Sequence, residues 1–131
     1  KVTVAEAMQS NPATVREEVP LSELVSNYFM RYSWSALPVV DEANKPVGLV
    51  TVRKVRRIPR DRWEDLSVRQ AMIPISEEIT ARPGDTLYKI LSKLENRSGG
   101  RLLVVENGHL AGVIARDDVR KALRTRMELE R

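Results

Sequence analysis

A dense run of cations follows the apolar segment Gly48–Val52. Its members, opposed only by Asp61, are Arg53, Lys54, Arg56, Arg57, Arg60 and Arg62. Cations at this density can bind a phosphate or an anionic membrane surface, or they can solvate one face of a helix. Single-stranded nucleic acid binding uses aromatic side chains interleaved with cations, and no aromatic lies among these, so we do not expect nucleic acid as a partner. We expect a solvated face with Val55 and Ile58 turned inward, and we keep Arg53 and Lys54 as candidate phosphate contacts.

Composition limits the classes of protein. The chain has 131 residues and a formal net charge of +4, which suits one domain or two small motifs. It has no cysteine and only one histidine, His109, so it offers neither disulfides nor a thiolate or histidine metal site. No apolar run approaches the ~20 residues of a membrane span. We therefore expect a cytoplasmic protein, or the soluble part of a membrane protein. The sequence also lacks HExxH and Walker motifs and a Ser-His-Asp set, so we expect no enzymatic activity.

The sequence contains two copies of one unit. VAEAM (Val4–Met8) returns as VRQAM (Val68–Met72), and LPVVDEANKPVGLVT returns as LLVVENGHLAGVIA, at an offset of about 65 residues. The repeat runs through every predicted element. We therefore place the first copy at 1–62 and the second at 63–131.

Each copy predicts the same elements, namely a short extended segment, an amphipathic helix, a β-hairpin and a closing helix. The first helix has apolar residues at helical spacing, and the second has the same pattern with Asp85 or Thr86 as its N-cap. Those residues are Leu21, Leu24, Val25, Tyr28 and Phe29 in the first copy, and Leu87, Ile90, Leu91 and Leu94 in the second. The turns DEANKP and ENGH predict hairpins. In the last helix we expect one apolar face, formed by Val119, Ala122, Leu123 and Met127.

A β-α-β-β-α unit of this length leaves one apolar sheet face uncovered. Two copies can cover each other, which explains the duplication as a requirement of packing. The sequence therefore predicts a mixed α/β (α+β) fold with two related halves.

The carriers of a family resemblance are LPVVD with GLVT in the first copy, LLVVE with GVIARDDV in the second, and the AM that ends each leading helix. They resemble a tandem pair of CBS domains, also called a Bateman module. The resemblance implies two CBS motifs packed sheet to sheet with pseudo-two-fold symmetry and two clefts between them. It also implies a regulatory module that frequently forms a homodimer. The stretch Val55–Met72 further resembles the link between CBS motifs in intramembrane zinc metalloproteases of the site-two type.

The resemblance implies binding of an adenine nucleotide or adenosyl ligand, such as AMP, ADP, ATP or S-adenosylmethionine, as a regulator rather than a required cofactor. The family places Gly-x-x-Ser/Thr-x-x-Asp at each cleft, where the hydroxyl contacts ribose or phosphate and the carboxylate holds the ribose hydroxyls. Here the pattern is divided. The first copy has Thr51 but carries Lys54 in place of the aspartate, and the second has Asp118 but carries Ala115 in place of the hydroxyl.

These substitutions predict asymmetry, with at most one strong adenosine site, centred on Asp118. The implied ligand-binding residues of the second copy are Thr80, Gly100, Arg101, Ile114, Ala115, Arg116 and Asp118, and those of the first are Thr51, Arg53 and Lys54. An alternative role for Asp118 is to cap the last helix. Three functions therefore stay open: a nucleotide-responsive regulator of a fused or associated enzyme, a ligand-free structural or dimerisation module, and an anion- or membrane-surface adaptor.

Overall fold

A computed structural model describes residues 1–95 and 98–130. Its α-helical segments are α1 (Val4–Ala7), α2 (Leu21–Glu23), α3 (Met30–Tyr32), α4 (Val52–Arg56), α5 (Val68–Ala71), α6 (Leu87–Ile90) and α7 (Arg116–Leu129). A π-helical stretch, Leu24–Phe29, joins α2 to α3, so 21–32 is one continuous helix. Short 3-10 segments lie at Arg60–Arg62, Glu77–Ile79 and Lys93–Glu95. The strands are β1 (Gln9–Ser10), β2 (Val15–Arg16), β3 (Ala36–Val40), β4 (Pro46–Thr51), β5 (Ile73–Pro74), β6 (Thr80–Ala81), β7 (Arg101–Glu106) and β8 (His109–Ala115).

The chain forms two compact units whose boundaries differ from those of the sequence repeat. The continuous unit is Ala13–Ile75, and the split unit combines Lys1–Pro12 with Ser76–Arg131. Each unit therefore contains the body of one copy and the leading helix of the other. The boundaries 1–62 and 63–131 describe the duplicated sequence, whereas the folded units exchange their first segments.

The continuous unit is built on a four-stranded sheet of order β2-β3-β4-β5. β2 pairs parallel with β3, and the other neighbours are antiparallel. The strands are rich in β-branched residues, which favour extended structure and pack well on a pleated surface. The core of this unit consists of Val15, Leu21, Leu24, Phe29, Leu37, Val39, Val50, Val55, Val68 and Ala71.

The split unit has the same design, with a sheet of order β1-β8-β7-β6. β6 pairs parallel with β7, while β7–β8 and β1–β8 are antiparallel. Its core consists of Val4, Ala81, Leu87, Ile90, Leu94, Leu102, Val104, Ile114 and Val119. The mixed α/β fold with two related sheets, predicted from the repeat, is confirmed.

Both predicted hairpins are present, and their turns follow from local chemistry. Asp41 Oδ1 accepts hydrogen bonds of 2.9 Å from the N–H groups of Ala43 and Lys45, and Asn44 adopts a φ of 65°. In the second hairpin Asn107 and Gly108 have φ values of 53° and 78°. Positive φ at both central residues is the geometry of a tight two-residue hairpin turn, which Asn-Gly favours.

The helix predictions are confirmed with three corrections. Leu21, Leu24 and Phe29 are buried as expected, and Thr86 is the N-cap of α6, where its Oγ1 accepts from the Lys89 N–H at 3.2 Å. The expected apolar faces are shorter than predicted, however. The exposed exceptions are Leu91, Leu123 and Met127. The last two are exposed because α7 is 14 residues long and only its first half, with Val119 and Ala122, packs on the core.

The leading helices explain the two glycines of the repeat. A Cβ on Gly112 would lie 2.6 Å from the Gln9 carbonyl oxygen and 2.8 Å from Met8 Sδ. A Cβ on Gly48 would lie 2.5 Å from the Ile73 carbonyl oxygen and 2.7 Å from Met72 Sδ. Each leading segment thus approaches a strand of the other copy's hairpin so closely that only glycine fits there.

Candidate functional site

The candidate site residues cluster where each hairpin passes into its closing helix. In the continuous unit Thr51 ends β4 and is the N-cap of α4. Its Oγ1 accepts a hydrogen bond of 3.1 Å from the Lys54 N–H, and the residue is only 8% exposed. The Lys54 ammonium group is exposed and donates to the Met72 carbonyl at 3.4 Å. The hydroxyl of Thr51 therefore serves the helix terminus.

The split unit has the converse arrangement. Ala115 ends β8 and precedes α7, and its N–H donates to Asp118 Oδ2 at 2.8 Å. Because alanine carries no side-chain oxygen, no side-chain atom at position 115 can accept a hydrogen bond from the N–H of Asp118. Asp118 Oδ1 accepts a second hydrogen bond, of 3.1 Å, from Gln9 Nε2 on β1.

Each unit therefore has one half of a capping box at the start of its closing helix. In a complete box, the N-cap hydroxyl accepts from the N–H three residues later, and the side chain at that third position accepts from the N-cap N–H. Thr51 supplies the first half in one unit, and Asp118 supplies the second half in the other. The alternative capping role of Asp118 is therefore present. A carboxylate has about four lone-pair sites, so the half-buried Asp118 keeps acceptor capacity beyond its two bonds.

Two guanidinium groups accompany this end of α7. The Arg116 N–H donates to the Gly100 carbonyl at 3.2 Å, and its side chain lies over Gly100, where a Cβ would come within 2.6 Å of Cζ. Burial lowers the pKa of the Arg101 guanidinium, and the positive charge of Arg116 lowers it further. Arg116 Nε lies 3.9 Å from Glu95 Oε1, a distance that gives only weak neutralisation between exposed groups. The arrangement favours an anion.

The other predicted ligand-binding residues of the second copy contribute differently. Thr80 is half-buried on β6, where its hydroxyl donates to the Ser76 carbonyl at 3.1 Å and its own carbonyl accepts from Lys93 Nζ at 2.9 Å. The Ile114 side chain is fully buried in the core, so it offers no side-chain surface to a ligand. Asn96 and Arg97, which precede Ser98, Gly99 and Gly100 in the sequence, lie outside the described residues.

The six cations after GLVT are all exposed, including Arg53 beside Lys54. Val55 beneath them is buried and Ile58 is half-buried, as the sequence predicted. Pro59 follows Ile58, and α4 ends at Arg56. Trp63 packs against the core of the continuous unit, and its Nε1–H donates to the Ile58 carbonyl at 3.0 Å.

Gln9 is the site residue that sequence reasoning missed. It lies 109 positions before Asp118, and no local pattern marks it. Across residues 1–95 and 98–130 there is no group of three or more acidic, histidine or cysteine side chains able to hold a metal ion. In the same ranges no helix combines the length and apolar character that crossing a bilayer requires.

The comparison with known proteins identifies the family. The model of the CBS domain matches twice, at residues 4–61 and 67–125, so the chain belongs to the CBS domain family as a tandem pair. CBS pairs are regulatory modules.

Three relatives are informative. Rip3 of Mycobacterium tuberculosis, whose name describes a zinc metalloprotease, is 28% identical over 123 residues, covering 93% of this chain and 31% of Rip3. The chain therefore spans about a third of that relative. CBSX2, a CBS-pair protein of Arabidopsis thaliana, has been solved with AMP. That complex matches with a TM-score of 0.80 at 23% identity and covers 96% of this chain and 99% of CBSX2. The ATP-bound CBS domain of a bacterial CNNM/CorC Mg2+ transporter matches with a TM-score of 0.81 at 20% identity, covering 94% of this chain and 87% of that one.

Proposed function

We propose that this CBS pair is a regulatory module that binds one adenine nucleotide per chain at the start of α7. The observation that carries the proposal is the Asp118 carboxylate, which is oriented by Ala115 and Gln9 and accompanied by the guanidinium groups of Arg116 and Arg101. A carboxylate that can hold a ribose and guanidinium groups that can hold a phosphate are the two kinds of group that a nucleotide needs. The AMP and ATP complexes of CBSX2 and the CNNM/CorC domain support the choice of ligand class.

Each group has a distinct task. The Asp118 carboxylate accepts hydrogen bonds from the two vicinal ribose hydroxyls, an arrangement that is strengthened by its negative charge. Its existing hydrogen bonds to Ala115 and Gln9 fix its orientation before the ligand arrives, which reduces the entropy lost on binding. Arg116 and Arg101 bind the phosphate, and the anion offsets the repulsion between them.

The continuous unit is proposed to lack an equivalent site. Lys54 stands where the carboxylate would be, and Thr51 Oγ1 already accepts from the Lys54 N–H. An ammonium group is a donor without acceptor capacity, so it cannot hold the ribose hydroxyls in the same way. Arg53 and Lys54 are exposed on this unit and are proposed to contact phosphate without recognising a ribose.

The regulated protein is proposed to be fused to the module or associated with it. The match to Rip3 supports a zinc metalloprotease as this partner. The resemblance of Val55–Met72 to the link in intramembrane metalloproteases is the reason to propose a membrane metalloprotease. Occupancy can shift such a partner only by the difference in ligand affinity between two arrangements of the module. A cytoplasmic location and homodimerisation stay predictions, and analytical ultracentrifugation of the intact chain tests the latter.

A ligand-free structural module is the second candidate. The observation that favours it is that Thr51 and Asp118, the retained parts of the family pattern, both stabilise helix termini. A capping role alone can account for these residues, because losing such a cap costs about 1 kcal/mol. The two candidates differ in whether the intact chain binds any adenosyl compound.

Calorimetric titration of the intact chain with AMP, ADP, ATP and S-adenosylmethionine separates them. We expect one site per chain, and Asp118→Ala should weaken binding by about 1.5–3 kcal/mol, or roughly ten- to a hundredfold. Asp117→Ala is the matched control, because Asp117 is exposed in the same turn and pairs with Lys121 at 3.2 Å. Equal affinity of both variants would refute the site, and no binding by the unmodified chain would favour the structural module.

A further inference from the structure

Gln9, in the leading segment of the first copy, reaches the carboxylate of the candidate site. It lies on β1, where it pairs with Val113 of β8, and its Nε2 donates to Asp118 Oδ1 at 3.1 Å. The backbone of β1 lies close against β8, because a Cβ on Gly112 would come within 2.6 Å of the Gln9 carbonyl oxygen. The main chain of Gln9 is therefore held in place, and its amide meets Asp118 from a defined position.

The Gln9 amide has hydrogen-bonding capacity that Asp118 does not use. A side-chain amide carries two N–H donors and a carbonyl acceptor. Among the residues that the structure describes, the bond to Asp118 is the one hydrogen bond of the Gln9 side chain. Gln9 is exposed and Asp118 is half-buried, so a ligand from solvent can reach both side chains. A second N–H group therefore stands beside the carboxylate.

The amide is uncharged, which suits a site that must hold a ribose. A lysine or arginine at position 9 would form an ion pair with Asp118, and its N–H groups would occupy acceptor sites that the ribose hydroxyls need. Gln9 instead orients the carboxylate without neutralising it. Hydrogen bonds from hydroxyl groups to an ionised carboxylate are stronger than those to a neutral acceptor. The pair thus combines a fixed orientation with a retained negative charge.

The duplication provides an internal comparison for this pair. VAEAMQ aligns with VRQAMI, so the equivalent of Gln9 is Ile73, and the equivalent of Asp118 is Lys54. Ile73 pairs with β4 as Gln9 pairs with β8, but its side chain is apolar and buried. An apolar residue therefore satisfies the structural needs of this strand position. The amide occurs in the unit that has the carboxylate, and both are replaced in the other unit.

We propose that Gln9 is a second ribose-binding residue and sets the specificity of the site for ribose over deoxyribose, a proposal that rests on the proposed nucleotide binding at Asp118. The second N–H of Gln9 donates to the oxygen of one of the two ribose hydroxyls. A hydroxyl group can donate one hydrogen bond and accept two, so it can serve Asp118 and Gln9 together. A deoxyribose that lacks this hydroxyl leaves the amide N–H unpaired beneath the ligand, which weakens binding.

Deoxynucleotides test this contact in calorimetric titrations of the intact chain. The ligands are AMP, 2′-deoxy-AMP and 3′-deoxy-AMP, and the variant is Gln9→Met, which keeps the length of the side chain but has no N–H. We expect Gln9→Met to weaken AMP about two- to tenfold. The loss should nearly disappear for the deoxynucleotide that lacks the contacted hydroxyl. Ser10→Ala is the matched control, because Ser10 is the exposed neighbour on β1, and it should leave all three affinities unchanged.

NMR spectra of the AMP complex give a direct readout, and we expect nuclear Overhauser effects between the Gln9 amide protons and the ribose protons. Two results would overturn this proposal while nucleotide binding at Asp118 stands. Unchanged or tighter AMP binding by Gln9→Met would show that the amide competes with the ribose for the carboxylate. Equal losses for all three nucleotides would show that Gln9 acts only by positioning Asp118. If the unmodified chain binds no adenine nucleotide, or if Asp118→Ala binds AMP as tightly as the unmodified chain, the proposed function fails together with this one.

Discussion

Gln9 Nε2 donates a hydrogen bond of 3.1 Å to Asp118 Oδ1, which joins the first strand of the chain to its last helix. The other oxygen of the same carboxylate accepts from the Ala115 N–H. Asp118 is therefore oriented by one group from its own copy and by one from the leading segment of the other copy. The candidate site exists only because the two copies exchange their first segments within the folded units.

The incomplete capping box at the start of α7 can be completed by a mutation that adds a hydroxyl at position 115. Ala115→Thr should stabilise the chain by about 0.5–1 kcal/mol, because position 115 is already extended at φ −125° and a hydroxyl there can accept from the Asp118 N–H. Ala115→Val, which has the same shape as threonine without the hydroxyl, is the control. Urea unfolding measures both, and equal stabilities of the two variants would contradict the assignment.

A second mutation removes the capping hydroxyl of Thr51 in the continuous unit. Thr51→Val keeps the branched shape but loses the hydroxyl that accepts from Lys54, so the free energy of unfolding should fall by about 1 kcal/mol. Thr51→Ser keeps the hydroxyl and should lose less. If Thr51→Ser proves as unstable as Thr51→Val in the same urea experiment, the hydroxyl has no capping role.

The close approach at the two glycines predicts a matched pair of losses. Gly112→Ala and Gly48→Ala each place a Cβ within about 2.6 Å of a backbone carbonyl, so each should destabilise by about 1–3 kcal/mol through overpacking. Gly84→Ala is the control, because its Cβ would meet nothing within 4 Å. Thermal unfolding should show two lowered midpoints and one that is unchanged or slightly raised. A Gly112→Ala variant as stable as Gly84→Ala would contradict the packing.

The exchange of leading segments predicts that the second copy cannot fold alone. A fragment of residues 67–131 lacks Val4, which is fully buried in the split unit and whose N–H donates to the Asp85 carbonyl at 2.8 Å. It also lacks β1, which leaves one edge of β8 unpaired. We expect this fragment to aggregate or to show no cooperative transition in circular dichroism. A soluble fragment with a sharp melt would contradict this prediction.

The Asp85 turn predicts a contribution to stability that depends on pH. Burial acts to raise the pKa of Asp85, but hydrogen bonds from the Arg82 N–H at 2.9 Å and from Lys89 Nζ at 3.2 Å outweigh it, so the pKa is lowered. A lowered folded-state pKa contributes stability above the unfolded value of about 3.9, and this stability is lost as the pH falls through the folded value. Asp85→Asn should therefore cost about 1–2 kcal/mol at pH 7 and less at pH 3.

Urea unfolding at the two pH values measures this difference. Asp61→Asn, at an exposed position outside this turn, is the matched control for the change of side chain. If the loss in Asp85→Asn is the same at pH 7 and pH 3, the carboxylate charge does not contribute to the stability of the turn.

The repeat predicted most of the fold, because hairpins, helices and turns follow from local patterns that occur twice. The sequence did not predict that each leading segment packs against the hairpin of the other copy. Gly48 and Gly112 both allow a segment to approach closely, and either VAEAM or VRQAM could pack against either glycine. Periodicity also assigned Leu123 and Met127 to a buried face. Both are exposed because α7 extends beyond the surface that it packs on. The extent of that surface depends on tertiary structure, which periodicity does not report.

Asp118 was predicted as a candidate ligand-binding residue because the family pattern keeps a fixed spacing along the chain. The way it is held was not found, because the Gln9 amide reaches it through the pairing of β1 with β8, between residues far apart in sequence. The closeness of Arg101 and Arg116 likewise depends on the Gly100 turn and on the register of Arg101 opposite Ala115. Sequence spacing indicates candidate residues, whereas strand pairing decides which of them lie close together.

The central claim is that nucleotide binds at the Asp118 end of the split unit and not at the Thr51 end of the continuous unit. Amide NMR spectra recorded during titration with AMP test it most directly, because the Ala115 N–H is bonded to the carboxylate that is proposed to hold the ribose. We predict saturable shifts at Ala115, Asp118 and Gly100, with little change at Thr51 and Lys54. Shifts centred on Thr51 and Lys54, or an Ala115 signal that stays fixed while AMP binds, would contradict the account.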